Sequence, residues 1–199
     1  GLAVRAVLSA MDRPLGQEIG NAGEVMEAAA CLRGEGPGDL EELTVVLAEQ
    51  LLAAAGIPRS TEQLRQLLHD GSAWQRFRRW VKAQGGDPDS VHDLPLAGGR
   101  WELTAERSGT ITAIDALLTG RAVGALGGGR RTKEDAIDHG VGVRLLHSAG
   151  SEVSAGQPLL LVRHRDGRGL AEAQQLLQQA VSIGDAASPG PLVLGVIGN

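Results

Sequence analysis

A change of sequence pattern between residues 85 and 99 constrains the fold of this chain more than any other feature. Before it, apolar residues recur at helical spacing, as in the face formed by Leu40, Leu43, Leu47 and Leu51 with Val46 beside them. Residues 85–99 are punctuated by glycine and proline, which is typical of a linker. After it come short strand-like runs separated by glycine turns, at 101–105, 109–114, 141–146 and 158–163. The pattern therefore predicts helices before residue 85 and a β-rich lobe over 100–199.

Capping signals divide the helical part into separate helices. Asn21 followed by Glu24 has the form of a capping box, which predicts a helix that stops at Gly34. Asp39 is the predicted N-cap of the next helix, and Ser60 with Gln63 begins a third. Further elements are predicted as a helix over 72–84, a late helix over 170–183 and a final strand over 192–197.

The chain enters an apolar stretch immediately after Gly1, through Leu2, Val4, Ala6, Val7 and Leu8. A continuously apolar run of this kind is typical of a strand in a parallel sheet, buried on both faces. Such a strand needs neighbours on both sides. We therefore expect the chain to be a piece of a longer protein.

Composition limits the possible partners and compartment. No apolar run approaches the ~20 residues that span a bilayer, and no charged-then-apolar leader is present. The formal net charge of -5 argues against nucleic-acid or anionic-membrane binding. A single cysteine, Cys31, excludes an internal disulfide and is typical of a reducing compartment. The expected location is the cytoplasm, with no nucleic-acid or membrane partner.

Several segments together resemble one enzyme family. They are the strand-turn-helix stretch 6–16 and 19–28, the following loop 32–40, the helix end 83–88, and the glycine-rich and Ile-Asp-His-Gly-Val-Gly stretches 125–131 and 137–142. In order and spacing they are similar to the C-terminal half of thymidine and pyrimidine-nucleoside phosphorylases. The chain departs from the family pattern at Ser9-Ala10-Met11, where Thr-Asp-Met is frequent, and at Gly23, where alanine or leucine is usual.

The resemblance implies a fold and an activity. The implied fold is α/β plus α+β. Residues 1–84 are the C-terminal part of an α/β domain, residues 85–99 are a linker, and residues 100–199 form a β-rich C-terminal lobe of barrel-sandwich-hybrid type. The activity is phosphate-dependent cleavage of a pyrimidine nucleoside, giving free base and (deoxy)ribose 1-phosphate in nucleoside salvage. The family is homodimeric, and its nucleoside- and phosphate-binding residues belong to the N-terminal half. No catalytic residue is therefore assigned to this chain, and the choice between thymidine and uridine stays open.

The resemblance also implies a structural potassium or sodium site. Some members bind this ion through main-chain carbonyls and one acidic side chain, and the corresponding positions are the carbonyls of Leu15 and Glu18 and the carboxylate of Glu27. Oxygen-only ligation suits a hard cation. The remaining ligands are expected outside this chain. No other cofactor is expected, and phosphate is a co-substrate.

Three further motifs each allow a functional and a structural interpretation. The 127–131 stretch Gly-Gly-Gly-Arg-Arg has phosphate-cradling potential but also the form of a turn, without the ending of a P-loop. Residues 76–80, Arg-Phe-Arg-Arg-Trp, resemble a nucleic-acid patch, yet Trp74, Phe77 and Trp80 share a helix face that is typical of a core stripe. Asp135, Asp138 and His139 suggest a metal site that no second cluster completes.

A non-catalytic module is the rival hypothesis. Residues 108–112 and 150–159 resemble the two halves of a biotinyl or lipoyl carrier domain. The lysine in the interval between them, Lys133, lacks the neighbours of a carrier lysine. A truncated, inactive paralogue is a second form of this alternative. A shared barrel-sandwich fold explains the likeness without a swinging arm.

Overall fold

The computed structural model describes residues 4–130, 132–186 and 189–198. The helices are α1 (Asn21–Cys31), α2 (Gly38–Ala54), α3 (Thr61–His69), α4 (Ser72–Ala83), α5 (Ala116–Val123) and α6 (Leu170–Ala180), with a 3-10 turn at Pro88–Asp93 and a π turn at Gly124–Gly128. The strands are β1 (Arg5–Ser9), β2 (Glu18–Ile19), β3 (Gly99–Thr104), β4 (Gly109–Ile114), β5 (Gly142–Leu145), β6 (Glu152–Val153), β7 (Pro158–His164), β8 (Val181–Gly184) and β9 (Val193–Gly198). Within the described residues, no helix is both long and apolar enough to cross a bilayer.

The chain forms two compact units whose segments alternate along the sequence. Unit 1 comprises Gly1–Ala10, Met26–His92 and Gly190–Asn199, and unit 2 comprises Met11–Val25 and Asp93–Pro189. The family domain limits expected at 84/85 and 99/100 stay predictions, because these units divide the chain in a different way.

Unit 1 contains a two-stranded antiparallel ribbon, β1 with β9, and the helices α2, α3 and α4. The prediction that the first strand is a buried member of a parallel sheet was wrong: β1 is antiparallel to β9, and most of its residues are exposed. The physical reason is that its cover comes from one side, where the Arg5 guanidinium donates to the side-chain oxygen of Gln50 on α2 (2.8 Å).

The helices of unit 1 pack around a small core of Val45, Leu64 and Leu68. The Ser60–Gln63 capping box at the start of α3 is confirmed in both directions. The other two predicted caps were wrong. Gly20, not Asn21, precedes the first turn of α1, and its N–H donates to Glu24 (3.0 Å). Helix α2 starts at Gly38, after Pro37.

The predicted apolar face of α2 is mostly not the buried one. Val45 is buried, with Ala48 and Leu52 packed beside the core, whereas Leu47 and Leu51 are 48% and 70% exposed. Helix α2 thus has two apolar faces, and only one of them is covered in the described part of the chain.

The aromatic stripe of α4 shares one face, as predicted, but it is not a core stripe. Phe77 stacks on Trp74 with 5.4 Å between ring centroids, and Trp80 follows Phe77 at 6.1 Å. The Arg33 guanidinium lies 5.1 Å from the Trp74 ring centre, a cation–π contact. None of the α4 residues is buried, and Trp80 is exposed. The three aromatic rings pack mainly against one another and are not part of a buried core.

Unit 2 contains the main hydrophobic core. A four-stranded sheet in the order β2-β5-β7-β3 and a three-stranded sheet in the order β6-β4-β8 are antiparallel throughout. The four predicted strands correspond to β3, β4, β5 and β7. Their fully buried members, with those of the helices packed beside them, include Ile111, Leu126, Val143, Leu160, Val162 and Leu177.

Two elements of unit 2 differ from the prediction. The late helix ends at Ala180 rather than 183, because Val181–Gly184 pairs with β4 as a strand. Helix α5 was not predicted; Asp115 caps it by accepting the Leu118 N–H (2.8 Å). The coarse fold is therefore mixed α and β with several sheets, as the first unit's helices and the second unit's strands show.

Candidate functional site

The predicted ligands Leu15 and Glu18 lie on a segment of unit 2 that ends in the short strand β2. Leu15 is half-buried in the bend before it, and Glu18 begins the strand. Gly20 follows with φ 137, and a Cβ there would lie 2.7 Å from the Val141 carbonyl oxygen. Only glycine allows this close approach between the end of β2 and the start of β5.

The carboxylate of Glu18 forms a bidentate ion pair with Arg163 on β7. Nη1 of the arginine donates to Oε2 (2.7 Å) and Nη2 to Oε1 (2.9 Å). Both side chains are almost buried, with 13% and 10% of their surface exposed. Hydrogen bonding to Glu18 raises the pKa of the Arg163 guanidinium, although burial acts in the opposite direction. Arg144 on β5 approaches the same carboxylate from 3.7 Å.

The main-chain carbonyl of Glu18 has a different orientation from its side chain. The Leu145 N–H donates to the Gln17 carbonyl (2.8 Å), and Glu18 lies opposite Arg144. Because hydrogen-bonded and non-hydrogen-bonded positions alternate in an antiparallel pair, the Glu18 carbonyl points away from β5. The carboxylate pairs with two arginines and the carbonyl points away from β5; a ligand role for this carbonyl stays a prediction.

Gly23 makes room for this ion pair. A Cβ at this position would lie 2.7 Å from Oε2 of Glu18. The departure from the family pattern at Gly23 therefore has a local physical reason: the Glu18 carboxylate occupies the space that an alanine methyl would need.

The third predicted ligand, Glu27, lies on α1 and is half-buried. It belongs to unit 1, whereas Leu15 and Glu18 belong to unit 2, so a cation site shared by the three stays a prediction. Glu27 acts electrostatically on Cys31, one helical turn later. Burial, Glu41 and Glu27, in decreasing order, raise the pKa of the Cys31 thiol.

The glycine-rich loop is anchored through its carbonyls. The Gly127 carbonyl accepts the Asp138 N–H (2.9 Å), and the Gly128 carbonyl accepts from the Asn21 side chain (2.9 Å). Gly127 has φ 98 and lies beside the Arg168 guanidinium. These bonds connect the loop to two other segments of unit 2, and its phosphate-cradling potential stays a prediction. Arg131, the last residue of the predicted loop motif, lies outside the described residues.

Asp138 is a partner of arginine rather than a metal ligand in the described structure. Arg165 donates two hydrogen bonds to the Asp138 carboxylate: Nη2 donates to Oδ1 (3.0 Å), and Nε donates to Oδ2. The Arg165 hydrogen bonds, and the Gly140 N–H to a smaller extent, lower the pKa of Asp138. Asp135 instead accepts from Thr132. Among the described residues, no group of three or more His, Cys, Asp or Glu side chains has the arrangement of a metal site.

Lys133, the candidate carrier lysine, is exposed in a turn that the Thr132–Asp135 hydrogen bonds close. It lies between the π turn and β5, with the following Glu134 also exposed. Nothing in this turn distinguishes Lys133 from an ordinary surface lysine.

Sequence reasoning missed the residues that organise this region. Arg163 ends an apolar run, and its partner Glu18 is 145 positions away, so no local spacing connects them. The same holds for Asn21, which was interpreted as a helix cap but donates to Gly128 instead. The one available signal was an arginine directly after a buried strand run, because a charge in that position needs a partner.

Comparison with known proteins adds an independent observation. Residues 110–184, from β4 to the end of β8, match the family model described as the pyrimidine nucleoside phosphorylase C-terminal domain. The whole chain aligns with the pyrimidine-nucleoside phosphorylase of Staphylococcus epidermidis, with 37% identity over 204 residues that cover 99% of this chain and 47% of the relative. The chain is thus similar, over almost all of its length, to part of the thymidine and pyrimidine-nucleoside phosphorylases. A pyrimidine-nucleoside phosphorylase of Staphylococcus aureus is 35% identical over the same length.

Another relative is more similar over a shorter stretch. The thymidine phosphorylase of Mycobacterium tuberculosis is 44% identical over 159 residues, which cover 80% of this chain and 36% of the relative. The chain therefore spans about half or less of the length of the phosphorylases it matches.

Proposed function

We propose that this chain is part of a pyrimidine-nucleoside or thymidine phosphorylase, a pentosyltransferase that cleaves the N-glycosidic bond with phosphate. The products are the free pyrimidine base and a (deoxy)ribose 1-phosphate. The observation that carries the proposal is the alignment of 99% of the chain with a pyrimidine-nucleoside phosphorylase at 37% identity. The non-catalytic alternatives have no comparable support, and Lys133 has no feature of a carrier lysine.

The chemistry defines what this chain does not supply. The transition state resembles an oxocarbenium ion, with negative charge developing on the departing base, so catalysis requires donors at the base and a phosphate site on the opposite face of the sugar. We assign no catalytic residue to this chain. Its contribution is structural: Asn21 connects the segment around β2 to the glycine-rich loop, and the Glu18–Arg163 pair connects β2 to β7.

A hybrid enzyme tests this function. The segment of the Staphylococcus epidermidis relative that this chain does not span is fused in front of residues 1–199, and thymine release from thymidine is followed by chromatography in phosphate buffer and in phosphate-free buffer. We expect phosphate-dependent release from the hybrid and none from residues 1–199 alone. The same assay with uridine addresses the choice of nucleoside.

The relative itself, divided and rejoined at the same position, is the matched control. If this control is active and a folded hybrid is inactive, the proposed function is wrong. Turnover by residues 1–199 alone would instead contradict the placement of the catalytic residues outside the chain.

The proposal includes a bound potassium or sodium ion. Its ligands in this chain are the carbonyls of Leu15 and Glu18 and the carboxylate of Glu27, an all-oxygen set that suits a hard cation. The outward direction of the Glu18 carbonyl supports this role. We expect KCl to raise the thermal stability of the active hybrid above that in choline chloride, and Glu27→Gln to abolish the difference. An unchanged difference in that variant would exclude Glu27 as a ligand.

Three finer attributes belong to the same proposal. The family supports a homodimer for the complete enzyme, and the pairing of β4 with both β6 and β8 supports a barrel-sandwich-hybrid type for the lobe. A single buried cysteine supports a cytoplasmic location. Light scattering of the hybrid measures the first of these, and a monomeric, active hybrid would contradict it.

A further inference from the structure

Unit 2 contains a cavity of about 150 Å³ where residues of its two sheets and of α6 meet. The inner wall is apolar and consists of residues that belong to the main core or pack against it, namely Leu103, Leu159, Val181 and Ile183. The rim is polar and exposed to solvent, and it consists of Thr104, Glu106, Arg107 and Gln178. An apolar wall with a few convergent polar groups is the usual composition of a small-molecule site.

The strand pairing next to this cavity is irregular in two places. The register between β3 and β7 shifts after Leu103, so that Leu159 has no residue directly opposite it. The register between β4 and β8 shifts after Ile111, whose partner is the wall residue Ile183. Bulges of this kind re-aim side chains and are over-represented next to active sites. The cavity therefore lies where two strand pairings depart from a regular ladder.

Hydrogen bonds hold the rim in place. Nη2 of Arg107 donates to the main-chain carbonyl of Ile183. The connection from β3 to β4 that carries Glu106 and Arg107 is fixed at both ends, because the Ala105 N–H donates to the Gln157 carbonyl (2.9 Å) and Ser108 Oγ accepts the Ala155 N–H (3.0 Å). A guanidinium has five N–H groups, so the bond to Ile183 leaves donors for a ligand.

The size and the polar groups of the cavity together define a class of ligand. An apolar cavity of about 150 Å³ holds one benzene molecule, so this one has room for a single six-membered ring. Glu106 accepts hydrogen bonds, Arg107 donates them, and the amide of Gln178 does both. A matching ligand is a flat single ring whose edge carries both N–H donors and carbonyl acceptors.

We propose that this cavity binds a free pyrimidine base, uracil or thymine. The ring lies against Leu159 and Ile183, and its polar edge faces Glu106, Arg107 and Gln178. A uracil ring has two N–H donors and two carbonyl acceptors, which is the pattern that the rim complements. The class of ligand follows from the cavity, whereas the choice of a pyrimidine base within that class rests on the proposed function, whose reaction releases this base.

A titration with uracil tests the proposal on residues 1–199 without requiring activity. Amide NMR spectra of the isotopically labelled chain are recorded at increasing uracil concentration, and the dissociation constant is obtained from the chemical shifts. We expect saturable shifts at residues 103–107, 159 and 178–183. The amides of α2 and α3 are the reference, because these helices lie in unit 1 and do not line the cavity. Hypoxanthine, a bicyclic ring with similar polar groups, should not produce the shifts.

A modified ligand and paired variants identify the polar contacts. Uracil methylated on both ring nitrogens keeps the ring and its carbonyls but has no N–H donor for Glu106, so we expect it to bind about tenfold or more weakly. Arg107→Met should weaken uracil binding about tenfold, and Gln178→Leu about fivefold. Gln179→Leu is the matched control, because Gln179 is the exposed neighbour on α6 and does not line the cavity. It should bind uracil as the unchanged chain does, and circular dichroism shows that each variant keeps its fold.

The possible results separate this proposal from the proposed function. Uracil-induced shifts around the cavity together with an inactive hybrid enzyme support the site and count against the function. An active hybrid combined with no shifts at these amides in folded residues 1–199 overturns the site and leaves the function in place. Shifts that both Arg107→Met and Gln178→Leu leave unchanged, or equal affinity for uracil and its dimethyl form, also overturn the site. Binding of hypoxanthine as tight as that of uracil overturns the restriction to a single ring.

Discussion

The Glu18–Arg163 ion pair offers a quantitative test of how unit 2 is held together. Replacing Arg163 with methionine keeps the length and most of the apolar stem of the side chain but removes the charge and both donors. Glu18 is then left with Arg144, which is half-exposed and 3.7 Å away. The Glu18 side chain is almost buried, with only 13% of its surface exposed.

The structure indicates how large the effect should be. Breaking a buried pair by removing one partner costs about 3–5 kcal/mol, whereas an exposed pair is worth about 0–1 kcal/mol. Because Arg144 still partly compensates Glu18, we expect Arg163→Met to lower the free energy of unfolding by about 2–3 kcal/mol. Glu18→Gln leaves two guanidinium groups without a carboxylate, so its cost should be higher, about 3–4 kcal/mol.

Urea unfolding monitored by circular dichroism measures these differences, and a double-mutant cycle isolates the pair. The Arg163→Met/Glu18→Gln variant should be less destabilised than the sum of the single variants, since neither charge is then left buried alone. Arg144→Met is the internal control, with an expected cost below about 1 kcal/mol. A cost below about 1 kcal/mol for Arg163→Met, or strictly additive single effects, would refute the view that this pair is a buried brace.

Three further outcomes can be measured on the same chain. Gly169 has φ 66, and a Cβ there would overlap the Ala125 carbonyl. Gly169→Ala should therefore lower the free energy of unfolding of unit 2, measured in urea, by at least about 2 kcal/mol. Gly120→Ala is the control, because Gly120 faces open space within α5, and it should not destabilise the unit. The folded-state pKa of Asp138 is lowered, so its ionised side chain stabilises the fold above the unfolded pKa of about 3.9, and this stabilisation is lost as pH falls through the folded value. Asp138→Asn should therefore reduce the acid-induced loss of stability, and an unchanged pH profile would contradict this. Cys31 is buried with a raised pKa, so iodoacetamide should modify the native thiol far more slowly than the urea-unfolded one, and equal rates would show that the thiol is accessible.

Four strands of unit 2, β3, β4, β5 and β7, could be located from local pattern because their apolar residues face a single well-formed core. The run at 158–163 predicts β7 closely, since leucine and valine buried on both faces leave few alternatives. The end of α6 could not be predicted in the same way. Val181 and Ile183 continue its apolar pattern, and only the pairing of Val181–Gly184 with β4 makes them a strand. Pairing with a strand some 70 residues away is a tertiary effect.

The candidate site shows the same limit. Glu18 was selected from the resemblance as a carbonyl ligand, and that role stays a prediction. Its carboxylate partner Arg163 and the space left by Gly23 could not be found from spacing, because both depend on how β2, β5 and β7 lie side by side. The predicted cap at Asn21 failed for a related reason: its side chain forms a distant hydrogen bond to Gly128 instead of a local one.

In unit 1 the limit has a different origin. Periodicity finds apolar faces but does not say which of two faces is covered by the same chain, so the face of α2 with Leu47 and Leu51 was taken as buried when Val45 is the buried side. Likewise, the apolar pattern of β1 requires cover on both faces, and the described structure supplies it on one. Selection on a sequence acts on the complete assembly. Where a chain's apolar pattern exceeds the cover that its described residues provide, as for β1 and for the Leu47–Leu51 face of α2, periodicity alone cannot predict which residues are buried.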